Sequence, residues 1–174
     1  MLVLTATAPK HTRDALITDL NLEKPRTIIA DLNRENVFIK KSTRLASSTG
    51  KKSYNCILLS VAQDLKHALV SYPLTIIFLP LKWCGYAYKL FLDVLGEKSY
   101  YPENEVLPKK CLFAQYHSPQ TEERKHEILA QLQASNEAKV PRVIFATVAI
   151  GMGVNIPDVR HVIHIGPPRT LESY

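Results

Sequence analysis

The sequence predicts an α/β fold, a parallel sheet with helices on both faces. Residues 74–79, LTIIFL, form a run of strand length that is apolar but for Thr75, as expected of a strand buried on both sides. From there to the end of the chain, strand-like runs alternate with helical patterns, the signature of βαβ units. A third observation comes from residues 143–158, VIFATVAIGMGVNIPD. Their β-branched run stops at Ala146-Thr147 and gives way to a Gly-x-Gly turn at Gly151 and Gly153, with Asn155 two residues on. A buried parallel strand delivers a ligand-binding loop in this way, because glycines let the backbone approach a phosphate closely.

The elements follow in order. Residues 2–8 read as a strand end and turn, and residues 9–20 as a short helix carrying Leu16, Ile17 and Leu20 on one face. Residues 27–30 and 36–43 are β-rich and predict strands, and residues 46–53 are a small, polar loop. A helix over 56–70 shows one apolar face through Ile57, Leu58, Val61, Leu65, Ala68 and Leu69. Pro73 ends it before the strand at 74–79. A second helix over 83–95 carries a stripe of Trp83, Ala87, Leu90, Phe91 and Val94, and Gly96 caps its end. Residues 97–108 form a loop and 110–115 a strand. Thr121 then N-caps a helix whose first turn holds Glu122 and Glu123, and whose inner face is Ile128, Leu129 and Leu132. Strands at 142–146 and 159–165 complete the sheet. Ligands of such sheets gather at the C-terminal strand ends, so His117-Ser118, Thr147 to Asn155 and Gly166-Pro167 are expected along one edge.

Composition narrows the partners. The chain has 174 residues, 46% apolar and 22% charged, as in an ordinary folded domain. Lys and Arg exceed Asp and Glu, giving +6, which fits a polyanionic partner and equally a solubilising surface. Cys56, Cys84 and Cys111 stand too far apart in sequence for a Cys-x-x-Cys metal pair and are expected as reduced thiols. His161 and His164, three apart on a strand, point to opposite faces and cannot clamp one metal. No apolar run is long enough to span a bilayer, and the opening Met1-Leu2-Val3-Leu4 lacks the form of a signal peptide. The chain reads as entered mid-fold and as stopping within a further helix.

Six segments, in order, resemble motifs of RecQ-like superfamily 2 helicases. Residues 4–8, LTATA, look like motif III; 33–37, NRENV, like the segment entering the second motor domain; and 75–78, TIIF, like the motif IV strand. Tyr116-His117-Ser118 resembles the step before the next helix, residues 146–155 look like motif V, and 168–174 are similar to the lead-in to motif VI. The resemblance implies a RecA-like fold, a P-loop NTPase-type domain without its own P-loop. Residues 1–30 would be the tail of the first motor domain and 31–174 the second, incomplete before motif VI. It implies an ATP-dependent 3′-to-5′ DNA helicase acting on single-stranded or forked DNA, associated with repair and recombination in the nucleus or another intracellular compartment.

Site residues follow from the same resemblance. Thr5, Ala6 and Thr7 would couple hydrolysis to strand movement. Gly151, Gly153 and Asn155 would line the nucleotide cleft. Thr147, Lys82, His117 and Ser118 would contact DNA. The chain departs from the family in two places: the stretch after the motif IV strand is Leu79-Pro80-Leu81-Lys82-Trp83, where Lys82 is the one cation, and Pro119 stands where glycine is common. Hydrolysis needs a P-loop, an acidic Mg²⁺ ligand and a water-positioning group. Residues 49–53, TGKKS, fail as a P-loop, because Leu45 replaces the upstream glycine and a second Lys intervenes before Ser53. ATP and Mg²⁺ are therefore expected only in a complete enzyme, with the Mg²⁺ ligands outside this chain and neither bound by it alone. The first motor domain would be supplied in cis or in trans. The competing reading is a non-catalytic module, or inactive fragment, that binds nucleic acid or protein.

Overall fold

Four short parallel strands make the sheet among the described residues: β1 (Thr75–Phe78), β2 (Phe113–Tyr116), β3 (Val143–Ala146) and β4 (His161–His164). They lie in the order β2-β3-β1-β4, so β2 and β3 are neighbours while the β1–β2 and β3–β4 connections each pass over an intervening strand. The computed structural model describes residues 3, 9–29, 35–46, 49–134, 140–147, 150 and 155–166. The chain divides into two compact units, Met1–Ser42 and Thr43–Ser173.

In the second unit, helices cover both faces, as the sequence predicts. Side chains alternate across a strand, and the alternation sorts them into two cores. Ile77, Phe113, Val143 and Phe145 face α2 (Lys52–Ala68) and α3 (Leu81–Leu95), meeting Leu58, Leu65, Ala87 and Phe91. Ile76, Ala114, Tyr116, Ile144 and Ala146 face the opposite side, where Ile128 and Leu132 of α4 (Glu122–Gln133) pack. At the centre of the first core, Phe91 meets Phe145 edge-on with centroids 4.8 Å apart and Phe113 at 5.4 Å. Burying each such ring removes roughly 2–3 kcal/mol of apolar exposure from water.

Local chemistry sets the helix ends. Thr121 caps α4 by accepting the Arg124 N–H at 3.4 Å, and Glu122 and Glu123 occupy the first turn. Gly96 ends α3 at φ +59°, a conformation that favours glycine. Lys66, in the last turn of α2, donates to the Val94 carbonyl at 2.7 Å and ties the ends of α2 and α3 together.

Element boundaries differ from expectation, most of them by one or two residues and four of them for reasons the structure shows. α2 begins at Lys52, not 56, because Ser53 and Tyr54 are buried and the Tyr54 and Asn55 amides both donate to the Lys51 carbonyl. α3 begins at Leu81, directly after Pro80, and its most buried row is Cys84, Ala87, Phe91 and Leu95, with Trp83 only half-buried. β2 runs three residues later than predicted at its start, since Pro108–Lys110 close a 3-10 turn and Cys111 bridges Tyr100 instead. β4 is shorter than predicted at both ends.

In the first unit, α1 (Lys10–Asp19) forms where residues 9–20 predict a helix, with Leu16 and Ile17 half-buried. The strands expected at 27–30 and 36–43 are not strands among the described residues. Their backbone runs without ladder partners, and Ile28, Ile29, Phe38 and Ile39 are exposed. β-branched residues favour extension, but a strand also needs a neighbour to bond. Apart from Val3, the segment 2–8 with Thr5, Ala6 and Thr7 lies outside the described residues.

Candidate nucleic-acid interface

Register brings the strand ends level. Phe78 pairs with Ala146 and with His164, and Tyr116 pairs with Ala146. The loops leaving β2, β3, β1 and β4 therefore emerge side by side on one edge, in that order. Backbone bonds fix the first residue of three loops: Thr147 N–H donates to the Tyr116 carbonyl at 3.3 Å, Leu79 to Ala146 at 2.9 Å, and Ile165 to Phe78 at 3.0 Å.

The structure thus sets Thr147 beside the start of the His117-Ser118 loop. Thr147 is half-buried. Its carbonyl accepts the Ile150 N–H at 3.4 Å, and Ile150 is itself buried, which anchors the turn after β3. Ser118 is exposed. His117 is held from two sides by glutamines that sequence reasoning missed. The His117 N–H donates to Gln120 Oε1, and its Nε2 lies at the same 3.2 Å from Gln115 Oε1. With that oxygen as acceptor, Nε2 is the donor. Nδ1 is buried with no hydrogen-bond partner. The signal was available in part, since Gln120 follows His117 by three residues in a turn.

Lys82 lies in the first turn of α3, one strand further along the edge, and is exposed. Its ammonium sits 5.7 Å from the Trp83 ring centroid. Asn155 is placed differently. It is exposed, and its carbonyl accepts from Gln133, the last residue of α4, at 3.1 Å. No described contact joins it to Thr147 or His117. Gly151 and Gly153 lie outside the described residues.

Around this edge the titrating groups respond mainly to burial. His164, at the end of β4, is pushed below the usual histidine value by desolvation. Burial raises the Cys84 thiol to about 11, and Cys111 is also raised, so both stay protonated and unreactive. Cys56 is exposed, and all three cysteines are free. Among the described residues no group of His, Cys, Asp and Glu could hold a metal ion. For a nucleotide, Asn155 is the one expected cleft residue whose placement is described. The hydroxyls of Thr147 and Ser118, with Lys82, have the chemistry to receive backbone phosphates. No described helix is long and apolar enough to cross a membrane.

Residues 75–174 match the family model described as helicase conserved C-terminal domain. ATP-dependent helicase wrn-1 of Caenorhabditis elegans is 30% identical over 176 residues, covering all of this chain and 14% of that protein. ATP-dependent DNA helicase Q-like 2 of Arabidopsis thaliana is 27% identical over 174 residues, again covering all of the chain and 21% of the relative. A shorter stretch of 33 residues is 61% identical to human ATP-dependent DNA helicase Q4. The chain therefore spans about a fifth or less of these relatives.

Proposed function

Because the chain belongs to the helicase conserved C-terminal domain family, with RecQ-type relatives along its whole length, we propose that it forms one wall of the ATP cleft and part of the single-strand track of an ATP-dependent 3′-to-5′ DNA helicase. The observation that carries this reading is the juncture of Thr147 with the His117-Ser118 loop. Two phosphate-binding side chains leave neighbouring strand ends there, with Lys82 further along the same edge.

In this reading Thr147 and Ser118 hydrogen-bond successive phosphates and Lys82 neutralises one. His117 lies beside them, its backbone amide held by Gln120 and its ring by Gln115. The contacts go to the backbone, so binding has little base preference and falls steeply with salt. Gly151, Gly153 and Asn155 face ATP, while Thr5, Ala6 and Thr7 belong to the coupling segment. ATP with Mg²⁺ supplies the driving hydrolysis when held against a first motor domain, which brings the P-loop and the Mg²⁺ ligands in cis or in trans. The task of this chain's residues is to hold the strand while that cleft opens and closes.

The test is anisotropy of a labelled oligothymidine titrated with the chain at several salt concentrations, for the wild type, Thr147→Ala and Thr147→Ser. Loss of one phosphate hydrogen bond costs about 0.5–1.5 kcal/mol, roughly two- to twelve-fold in affinity. Thr147→Ala should show that loss and Thr147→Ser should recover most of it. Unchanged binding in Thr147→Ala removes Thr147 from the track. A wild type that binds no single strand at any salt rejects the nucleic-acid reading and leaves a protein-interaction module.

A further inference from the structure

The run Lys-Lys-Ser occurs twice, at residues 40–42 and 51–53, and the fold treats the two copies differently. In the second, Lys52 opens α2, Ser53 is 1% exposed, and its hydroxyl donates to the Gly50 carbonyl at 2.9 Å. That hydroxyl is closed off by its own helix. In the first, Lys40, Lys41, Ser42 and the following Thr43 are all exposed. Residues 37–46 form no helix or strand, and among the described residues no hydrogen bond engages Ser42 or Thr43.

Charge distinguishes this exposed pair of hydroxyls further. Among the described residues neither Lys40 nor Lys41 makes an ion pair. The nearest acids in sequence are Glu35 and Asp64, so no carboxylate of the intervening chain offsets them. Ser42 and Thr43 are the last and first residues of the two compact units, and neither belongs to a core. A group of phosphate size added there displaces no packed side chain. An enzyme that modifies a side chain takes its substrate as an exposed, extended segment. Backbone committed to neither helix nor sheet enters such a cleft without breaking hydrogen bonds.

We infer that the Ser42-Thr43 step is a phosphoacceptor site for a serine/threonine kinase with an acidic substrate cleft, and that Lys40 and Lys41 are the residues this cleft reads. The inference stands apart from the helicase reading, since it needs neither a strand nor a nucleotide held by this chain. In the reaction the hydroxyl oxygen of Ser42 or Thr43 bonds to the γ-phosphorus of ATP. The bond from that phosphorus to the bridging oxygen breaks, ADP leaves, and the hydroxyl proton passes to the kinase's catalytic aspartate. The new group carries about −2 at neutral pH and lowers the net charge from +6 to about +4, which weakens the chain's attraction for polyanions. Ser53 follows the same pair of lysines and stays unmodified, because its hydroxyl is buried and its backbone is helical.

The experiment incubates the chain with ATP and the catalytic domain of protein kinase C, a basic-directed enzyme, and separately with casein kinase II, an acid-directed one. Phosphate is counted by intact mass and located by fragmentation of the modified chain. The comparison covers the wild type, Ser42→Ala/Thr43→Ala and Lys40→Gln/Lys41→Gln. All four substituted side chains are exposed, and circular dichroism checks that each variant keeps the wild-type fold. The expected result is phosphate on Ser42 or Thr43 of the wild type with the basic-directed enzyme and none there with casein kinase II. The Ser42→Ala/Thr43→Ala variant should lose the main site of incorporation. Loss of both lysines should lower kcat/KM for the site about ten-fold or more, as expected when two charge pairs are removed from a cleft. Absence of phosphate from both Ser42 and Thr43 in the wild type overturns the inference. An unchanged rate in Lys40→Gln/Lys41→Gln also overturns it, since the lysines would then not be read. Phosphate on Ser53 at a comparable rate overturns it as well, because burial would then not select between the two runs.

Discussion

The His164 imidazole lies nearly flat against the Phe78 ring, with centroids 4.7 Å apart and planes inclined by 13°. The two side chains end neighbouring parallel strands in register, so the stack joins β1 to β4 at the edge where the functional loops emerge.

That stack makes stability pH-dependent. Burial disfavours the imidazolium, so the folded-state value lies below the unfolded 6.5. Above 6.5 both states are neutral here and the full stability is present. As pH falls through 6.5 the unfolded chain takes up a proton before the folded one does, and stability is lost until the folded value is passed. Urea midpoints at pH 7.5 and 5.5 should therefore differ more in the wild type than in His164→Phe, which keeps the stack and removes the proton. Equal differences in the two proteins would assign the pH dependence to other groups.

Phe145 is a second point of leverage. It is fully buried in β3, the strand bonded on both sides, and meets Phe91 and Phe113 edge-on. Phe145→Ala removes a ring that no neighbour can replace and should cost about 3–5 kcal/mol. Against the 5–15 kcal/mol typical of a domain, that is a large fraction. Chemical denaturation should show a lower midpoint with an unchanged m-value. Phe145→Leu, which keeps most of the volume, should lose less than half as much, and equal losses would mean that the core collapses around either substitution.

The cap on α4 offers a smaller effect. Thr121 accepts the Arg124 amide at 3.4 Å, a long bond, so Thr121→Ala should cost about 0.5–1 kcal/mol, the lower part of the range for N-caps. Glu122, held below the usual carboxylate range chiefly by its hydrogen bond to Lys125, remains to favour the helix dipole. Thr121→Ser should match the wild type in thermal denaturation. A loss in Thr121→Ser as large as that in Thr121→Ala would mean the methyl group, and not the hydroxyl, does the stabilising.

Legibility in the sequence tracks how local each determinant is. β1 and β3 are runs of β-branched and apolar residues buried on both faces, and their presence could be read directly. The Thr121 cap and the Gly96 stop are local chemistry and were also readable. Residues 27–30 and 36–43 show the limit of pattern reading, for Phe38 and Ile39 have strand propensity but no partner among the described residues. The start of α2 was hidden because Lys51, Lys52 and Ser53 look like a solvated loop until Ser53 and Tyr54 are seen buried. At the site, Thr147 and His117 could be named from their loops. Their adjacency depends on the register in which β2 pairs with β3, which sets Tyr116 level with Ala146 and which residue patterns do not fix.

Gln120 tests whether His117 works through its orientation. Gln120 accepts the His117 backbone N–H, and Gln115 holds the ring from the other side. Neither glutamine is charged, so removing one releases no counterion and leaves the salt slope of DNA binding unaltered. Gln120→Ala should instead loosen the loop that presents His117 and Ser118, lowering single-strand affinity by roughly two- to ten-fold at fixed salt, the worth of one lost hydrogen bond. Gln120→Glu keeps the acceptor and should recover the geometry, but it places a negative charge beside the phosphates. Its affinity should therefore fall mainly at low salt and approach the wild type at high salt. Parallel salt lines for the wild type and Gln120→Ala, with a converging line for Gln120→Glu, would establish positioning. A reduced slope in Gln120→Ala would show that the loop rearrangement also displaces a cation from the strand, and the assignment of Gln120 as a positioning residue would fail.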